Sequence, residues 1–493
     1  MKNMTIKNIR AACNGKIHGT IIPDHEATGV VIDSRKLEHG NLFIATRGER
    51  VDGHSFIAQA AEKGALAVIC EELTETPIPH ILVKNSFQAL KDIAIFYRKH
   101  FNIPVVGITG SVGKTSTKEF IATVLGARYK VLKTEGNLNN EIGVPLMILK
   151  IRDEHEVAVL EMGINNFGEM HRLSEMARPT IALLTNIGDC HLENLGDRPG
   201  VLRAKSEIFN FLALDGRVVI NGDDILLITI PDKNGKPPLR FGIGEENDIC
   251  ASQVNVMGLD GTSAKINFKE SGTSFDIKIP LPGEHMIYGA LAASAVGNLL
   301  ALNPADITEG LLTIKSVSGR SNIIRLPKGI IIDDCYNANP VSMKAALQLL
   351  KSATGRKVAV LGDMGELGED KEELHALVGR EAVDAEVDIL VCIGTLSNNM
   401  YNAAKLVKAS SVTDTVLQDN TVLNANGASI TNDLQETGRD LQIASSEIYH
   451  FANKDSFLKE AKNILTDGDT ILLKASRFMA FETLVAALTE MLS

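Results

Sequence analysis

The sequence contains only six cysteines, scattered along the chain with no CxxC pair and no cluster. A disulfide framework or a cysteine zinc site needs closely grouped cysteines, so this spacing argues against both and indicates free thiols in a reducing compartment. The N-terminal stretch MKNMTIKNIRAACNGK has no apolar segment after its lysines. It therefore predicts no signal peptide, and we expect a cytoplasmic protein.

Basic residues are also fewer than acidic residues. The 50 lysines and arginines are outnumbered by 61 aspartates and glutamates, which gives a net charge of −11. An acidic chain has no general attraction for a phosphate backbone, so we expect no nucleic acid as the main partner. A local basic pocket for an anionic small molecule remains compatible with this charge.

One uncharged stretch, residues 286–305, is long enough to be considered as a membrane span. It contains a tyrosine, two asparagines and a proline, and it is rich in alanine rather than leucine. Membrane spans are predominantly apolar over about 20 residues. This stretch therefore predicts a buried core helix and no membrane insertion.

Length and composition predict a globular protein of about three domains. The 44% hydrophobic content is typical of chains with buried cores. Residues 1–84 alternate short apolar runs with turns, which predicts a small α/β domain. In residues 85–318, buried strands alternate with helices, which predicts a parallel sheet. Residues 319–493 repeat that alternation and predict a second, doubly wound sheet.

The strongest motif is GITGSVGKTS at residues 107–116, which follows a predicted strand and opens a predicted helix. Glycines let backbone amides approach phosphate oxygens there, and the helix N-terminus adds positive potential. We expect Lys114 to reach the β- and γ-phosphates of a nucleotide and Thr115 to bind Mg²⁺. The spacing is GxxGKT rather than GxxxxGKT, with Ile108 at the usual position of the first glycine. The predicted phosphate loop consists of Gly110, Ser111, Val112, Gly113, Lys114, Thr115 and Ser116.

Two later strand ends carry candidate metal ligands. Glu161 in LEMG ends one predicted strand, and His191 in TNIGDCHLE follows the next. Ligands of open α/β sheets gather at such ends, and Mg²⁺ prefers oxygen, so Glu161 is a candidate ligand. Histidine is a less usual magnesium ligand, which leaves His191 between a metal-binding and a structural role. On general grounds, Lys205 in RAKSE is expected to lie at the surface.

In combination, the segments TGSVGKTST, LEMG, NIGDCHLE and AKSEIF resemble the Mur ligase family of ATP-dependent amide-forming enzymes. Two further segments narrow the resemblance. DDCYNANP at residues 333–340 is similar to the DDxYNANP signature of the member that adds D-alanyl-D-alanine. DSR at 33–35 and GERVDGH at 48–54 are similar to the uridine-nucleotide domain of that member. The resemblance covers nearly the whole chain in the right order.

The resemblance implies a small N-terminal α/β domain for the uridine nucleotide (residues 1–84). It implies a central P-loop ATPase-like parallel sheet (85–318) and a C-terminal Rossmann-like α/β domain (319–493). The implied reaction uses ATP and Mg²⁺ to join D-alanyl-D-alanine to UDP-N-acetylmuramoyl-tripeptide through an acyl phosphate. That reaction is the last cytoplasmic step in making the peptidoglycan pentapeptide precursor. We expect a monomer.

The resemblance also implies residue roles. The catalytic residues would be Lys114, Glu161, His191 and Lys205, the last at a position that is often a carbamoylated lysine. The magnesium ligands would be Thr115, Glu161 and His191. Besides the phosphate loop, the residues that contact the nucleotide would be Asn137, Arg320, Asp334 and Asn337. The residues that hold the substrates would be Ser34, Arg35, Thr46, Arg47, Asn139, Asn140, Lys474, Ser476 and Arg477.

Three alternatives remain at this point. A sister ligase that adds the third residue, lysine or diaminopimelate, is the nearest, but the DNPR motif expected in its diaminopimelate form is absent. A folylpolyglutamate synthetase has a similar architecture with a loop that typically ends in GKGS. A P-loop switch without ligase activity would not need the cluster of Glu161, His191 and Lys205.

The chain departs from the family pattern at three places. Ala475 replaces the glycine of the family's KGS segment, between Lys474 and Ser476, which is a small change in a turn. Gly289 stands where the family has an asparagine that contacts adenine, so the resemblance implies a weaker adenine contact here. Residues 408–445 are polar and rich in asparagine, threonine and aspartate. They predict a surface insertion that is longer than the family pattern requires.

Overall fold

The computed structural model describes residues 1–21, 24–48, 51–409 and 447–493. Three β-sheets follow one another along the chain, and helices pack against them. Each sheet falls within one of the three predicted segments, and the α/β class is confirmed. The predicted insertion at 408–445 lies outside the described residues from position 410 onward.

The first sheet has five short strands in the order β1-β5-β4-β3-β2. Only the pair of β1 and β5 is antiparallel. The strands are β1 (Lys16–His18), β2 (Val30–Val31), β3 (Leu42–Ile44), β4 (Ala67–Cys70) and β5 (His80–Leu82). The helices of this part are α1 (Ile6–Ala12) and α2 (Ile57–Glu62), and α3 (Ser86–Arg98) follows at the start of the second segment.

The second sheet has nine strands in the order β14-β13-β12-β11-β10-β9-β6-β8-β7. The strands are β6 (Val105–Thr109), β7 (Val131–Lys133), β8 (Val157–Glu161), β9 (Ile181–Leu184), β10 (Arg217–Asn221), β11 (Leu239–Gly242), β12 (Ile249–Val256), β13 (Thr262–Phe268) and β14 (Thr273–Ile279). Its helices are α4 (Lys114–Gly126), α5 (Gly143–Ile148), α6 (Glu169–Ala177), α7 (Leu192–Leu195), α8 (Arg198–Ser206), α9 (Met286–Leu299) and α10 (Pro304–Leu312).

The second sheet is parallel from β7 to β12, as predicted, but β13 and β14 extend it with antiparallel pairs. The reason is visible in β13, where buried and half-buried side chains alternate along the strand. Such alternation is typical of antiparallel strands with one wetter face, whereas β6 is buried at every position.

The third sheet has six strands in the order β15-β16-β20-β17-β18-β19, and only β15 runs antiparallel to its neighbour. The strands are β15 (Asn322–Leu326), β16 (Gly329–Asp333), β17 (Lys357–Gly362), β18 (Ile389–Ile393), β19 (Glu447–Phe451) and β20 (Asp469–Lys474). The helices are α11 (Pro340–Lys351), α12 (Lys371–Asp384), α13 (398–409), α14 (Lys454–Ile464) and α15 (Glu482–Leu492). The doubly wound pattern predicted for this part is confirmed.

The uncharged stretch at 286–305 forms α9 and the start of α10, and α9 is buried in the core of the second sheet. Its residues pack against β-strands and against α4. None of the described helices combines the length and the apolar character needed to cross a bilayer. The prediction of a core helix is confirmed.

Two glycines of α9 differ in the space around them. A Cβ atom on Gly289 would lie 2.5 Å from Cδ2 of Phe120 on α4, and that ring is buried. A Cβ atom on Gly297 would make ordinary contacts at 3.4 Å or more. The close approach of α9 to α4 therefore depends on the glycine at 289 and not on the one at 297.

We expect Gly289→Ala to lower the free energy of unfolding by about 1–3 kcal/mol, because the core must shift around Phe120. Gly297→Ala is the matched control in the same helix. It should leave stability unchanged or raise it by up to about 1 kcal/mol, because alanine favours the helix. Thermal and urea unfolding check both variants. Equal effects of the two substitutions would contradict this account.

Candidate active site

Three strand ends meet at one edge of the second sheet. Strand β6 lies between β8 and β9, with Ile108 paired to Glu161 and Thr109 paired to Leu184. Their carboxyl ends therefore lie side by side, where open α/β sheets bind ligands. The phosphate loop, the carboxylate of Glu161 and the segment that carries His191 all start from this edge.

The loop after β6 is packed tightly against the end of β9. Gly110 has a φ of +148°, and a Cβ atom there would lie 1.9 Å from the hydroxyl oxygen of Thr185. The amide of Asn186 fixes the loop from the same side. Its Oδ1 accepts from the Val112 N–H at 2.9 Å, and its Nδ2 donates to the Val112 carbonyl at 3.1 Å. Any side chain at 110 would displace this arrangement.

The Lys114 ammonium is folded back onto its own loop. Its Nζ donates to the carbonyl of Gly110 at 2.8 Å and to that of Ser111 at 3.3 Å. Burial lowers the pKa of Lys114 from its ordinary value. The side chain lies at the N-terminus of α4, where the helix dipole favours an anion.

Glu161 is buried at the end of β8 with only one of its two oxygens paired. Oε1 accepts from the Thr115 hydroxyl at 3.1 Å and from the Asn139 amide at 2.8 Å. Oε2 is buried and has no hydrogen-bond partner within the described part of the chain. An unpaired buried carboxylate oxygen is costly, and an oxygen donor set of this kind fits a hard divalent cation.

Lys205 on α8 is 1% exposed, so the expectation of a surface position is wrong. The surrounding sequence RAKSE is polar, but α8 turns this lysine inward next to the buried Val201 and Ala204. Its ammonium makes no hydrogen bond or ion pair with any residue that the structure describes. Burial first, and the neighbouring Lys114 second, lower the pKa of Lys205 to about 8.

His191 and Glu366 meet between the second and third sheets. His191 Nδ1 lies 2.7 Å from Glu366 Oε2. The pKa of the Glu366 carboxyl is lowered, first because it is hydrogen-bonded to His191. Glu366 stands after β17, and no local motif singled it out, so the sequence did not predict this contact.

The third sheet contributes a cationic and aromatic wall. Lys474, at the end of β20, forms an ion pair with Asp334 at 2.5 Å and is 3% exposed. The second oxygen of Asp334 accepts from the Ser321 N–H at 2.8 Å. The guanidinium of Arg320 lies over the ring of Tyr336, 4.2 Å from its centre.

A cavity of about 670 Å³ lies between the second and third sheets and is lined by residues of both. It brings together most of the predicted nucleotide and metal residues. They are Ser111, Val112, Gly113, Lys114, Thr115, Ser116, Asn139, Asn140, Glu161, His191, Arg320, Asp334, Asn337 and Lys474. Gly110 and Lys205 do not line the cavity, but both lie next to Lys114, which does.

Several predicted residues lie elsewhere. Asn137 is exposed and outside the lining. Ser476 is buried and accepts from the Gly365 N–H at 2.8 Å, and Arg477 is exposed beside Tyr336. Asn140 lines the cavity, but its Oδ1 caps α5 by accepting from the N–H groups of 142 and 143.

The residues predicted in the first 84 positions do not line this cavity. Arg35 donates to Asp33 at 2.8 and 2.9 Å, and this pairing lowers the pKa of Asp33 to about 2. Arg47 forms ion pairs with Glu72 at 2.9 Å and with Asp52 at 3.3 Å. Ser34 is buried, and Thr46 accepts a backbone bond from Gly53. Their role in substrate binding stays a prediction.

Apart from Gly289, the apolar lining of the cavity was not predicted. Phe120, Met286, Tyr288 and Gly289 form one patch, with Phe241 beside it. Gly289 is therefore placed at the cavity, but an asparagine there would need Phe120 to move. Nothing in the sequence separates the patch residues of α4 and α9 from ordinary core residues, since α9 is buried at most of its positions.

The chain was compared with models of protein families. Residues 26–114 match the Mur ligase family catalytic domain, residues 108–297 the Mur ligase middle domain, and residues 319–477 the Mur ligase glutamate ligase domain. The three matches cover most of the chain in the order of the three sheets.

Individual relatives and solved structures agree with the matches to the family models. The UDP-N-acetylmuramoyl-tripeptide–D-alanyl-D-alanine ligase of Bacillus subtilis is 36% identical over 506 residues, with 99% of both chains covered. The Escherichia coli ligase of the same name is 33% identical, with the same coverage. MurF from Acinetobacter baumannii superposes with a TM-score of 0.84 at 30% identity, covering 99% of this chain and 98% of that one. MurF from Thermotoga maritima in complex with ADP has a TM-score of 0.77 at 27% identity, with 96% and 99% covered.

We expect Asp334→Asn to lower the free energy of unfolding by about 3 kcal/mol, because it leaves the buried Lys474 ammonium without a countercharge. The matched control is Asp260→Asn. Asp260 pairs with Arg325 at 2.6 Å, but both side chains are more than half exposed, so the loss should stay below about 1 kcal/mol. Urea unfolding of both variants checks the difference, and comparable losses would refute it.

Proposed function

The chain belongs to the Mur ligase family, and on that premise we propose that it joins D-alanyl-D-alanine to UDP-N-acetylmuramoyl-tripeptide at the expense of ATP. Full-length relatives at 33–36% identity carry this activity in their names. The observation that carries the proposal is the cavity, where a phosphate loop on one side faces Arg320 and the Asp334–Lys474 pair on the other. A ligase that brings a nucleotide and two further substrates together needs such a two-sided site.

ATP is assigned to the loop side of the cavity. Backbone amides of residues 110–116 and the N-terminus of α4 would hold its phosphates, with Lys114 turning from its loop carbonyls to the β- and γ-phosphates. The apolar patch around Phe120 suits the base, and Arg320, Asp334 and Asn337 would contact the nucleotide from the other side. Asn137 does not line the cavity, and its position gives no support to the predicted contact with the nucleotide.

The residues at the strand ends fit Mg²⁺. Thr115 and Glu161 offer oxygens, and the unpaired Oε2 of Glu161 is an orphaned acceptor at the right edge of the sheet. With His191 they would hold the ion. When bound, Mg²⁺ would neutralise charge on the transferring phosphoryl group.

The proposed reaction proceeds in two steps. The terminal carboxylate of the tripeptide attacks the γ-phosphorus of ATP, which forms an acyl phosphate and releases ADP. The neutral amine of D-alanyl-D-alanine then attacks the acyl carbon to form the C–N bond. The acyl C–O bond to phosphate breaks, inorganic phosphate leaves, and the nitrogen releases one proton. Lys114 stabilises the negative charge on the transferring group, and the walls from both sheets exclude water that would hydrolyse the intermediate.

Lys205 would act as a carbamate. A neutral amine adds to CO₂ to give a carbamate and a proton, which converts a buried cation into a buried anion. The burial of Lys205, its lack of a carboxylate partner and its lowered pKa all favour the neutral amine that this addition needs. The anion would lie near Lys114 and the metal-binding edge.

The substrates are proposed to be held by Ser34, Arg35, Thr46, Arg47, Ser476 and Arg477. A monomeric state stays a prediction.

Phosphate release from ATP and Mg²⁺ should require both a UDP-muramoyl tripeptide and D-alanyl-D-alanine, with a pentapeptide product detected by mass. Tripeptides with lysine and with diaminopimelate are compared to identify the third residue. Lys114→Ala should abolish release and keep the native circular dichroism spectrum, whereas exposed Lys130→Ala should change neither. Activity with a UDP-muramoyl dipeptide and a free diamino acid would instead assign the sister ligase.

Carbamate on Lys205 should be visible by ¹³C NMR after equilibration with ¹³CO₂. At fixed dissolved CO₂ the signal should grow as the pH rises through about 8, because the neutral amine replaces the ammonium. It should vanish in Lys205→Met. Lys118 is equally buried, but its ammonium is paired with Glu119 at 2.9 Å, so Lys118→Met should keep the signal. A signal that survives in Lys205→Met would contradict this assignment.

A further inference from the structure

The contact between His191 and Glu366 joins the two sides of the cavity. His191 belongs to the segment after β9, and Glu366 to the segment after β17. The surrounding segments also run close together, since a Cβ atom on Gly368 would lie 3.8 Å from Cβ of Leu192 and one on Gly188 would lie 3.4 Å from Cγ2 of Val341. The histidine that lines the metal-binding edge is therefore bonded to the other side of the site.

The backbone at both ends of this contact is unusual. His191 has a φ of +53° and Glu366 a φ of +61°, and neither is a glycine. Left-handed backbone costs energy for such residues and is often found at functional sites. Both ends of the contact are therefore held in costly backbone conformations.

The backbone around Glu366 is held in place by burial and hydrogen bonds of its neighbours. Met364 and Leu367 on either side are buried, the Met364 N–H donates to His375 at 2.9 Å, and the Gly365 N–H donates to Ser476 at 2.8 Å. The carboxylate itself is 59% exposed. An exposed ion pair adds little stability, so the contact is poorly suited to hold the two sides together. A fixed carboxylate is well suited to orient its partner.

We propose that Glu366 is a positioning residue that orients the His191 ring, so that the side of the cavity formed by the third sheet completes the divalent-metal site on the second. With Nδ1 engaged by Glu366, Nε2 is the ring nitrogen available for an ion, and no other described residue hydrogen-bonds to it. Metal-binding histidines commonly donate their other N–H to a carboxylate, which fixes the tautomer and the ring. The proposal rests on the metal role of His191 in the proposed function, and it adds a residue from the opposite side of the cavity.

The test measures Mn²⁺ binding by electron paramagnetic resonance in the full-length protein with a non-hydrolysable ATP analogue. Glu366→Ala should weaken Mn²⁺ binding about 10-fold or more, the usual effect of removing such a carboxylate. Glu366→Gln, which keeps the shape, should weaken it less. Glu369→Gln is the matched control, since Glu369 lies in the same segment and makes no described hydrogen bond or ion pair. It should bind Mn²⁺ like the parent protein.

A double-mutant cycle separates positioning from a direct role. In a His191→Ala background, Glu366→Ala should change Mn²⁺ affinity by less than about twofold, because no ring is left to orient. A full loss in that background would show that Glu366 acts on the ion directly and would overturn the proposal, as would unchanged affinity in the single variant. The readout needs no ligation, so a parent protein that binds Mn²⁺ but makes no pentapeptide would refute the proposed function alone.

Discussion

The site depends on the position of one strand. Because β6 is hydrogen-bonded to β8 on one side and to β9 on the other, three chain segments far apart in sequence end at the same edge. The phosphate loop, Glu161 and the segment of His191 are placed by that pairing alone. The glycine at 110 and the amide of Asn186 then set how closely the first segment can lie against the third.

The charged side chains around the site differ in how they are paired. Lys474 is buried with a carboxylate, Lys114 is half-buried against carbonyls, and Lys205 is buried with neither. Glu161 has one paired and one unpaired oxygen. A protein that tolerates an unpaired buried cation and an unpaired buried carboxylate oxygen near one edge is arranged for ligands that supply the missing partners.

The sequence predicted those parts of the molecule whose signals are local. The strand that precedes the phosphate loop, β6, was predicted, because the run VVGI is continuously apolar and leaves little ambiguity. Short strands such as β7 were missed because three residues carry no period. Lys205 was misplaced because burial follows from how α8 packs, and its neighbours in sequence are polar. Glu366 could not be predicted, because its partner lies 175 positions away and only the tertiary structure brings them together.

The order of strands in the third sheet has a consequence for how the protein is made. Its last strand in the chain, β20, lies between β16 and β17 and carries Lys474. On a ribosome, β16 and β17 emerge more than a hundred residues before the strand that separates them. Until residues 469–474 are synthesised, those two strands have no common neighbour, and Asp334 has no lysine to pair with. The half of the site on the second sheet can form before the third sheet is synthesised, but the opposite wall must wait until residues 469–474 have been made.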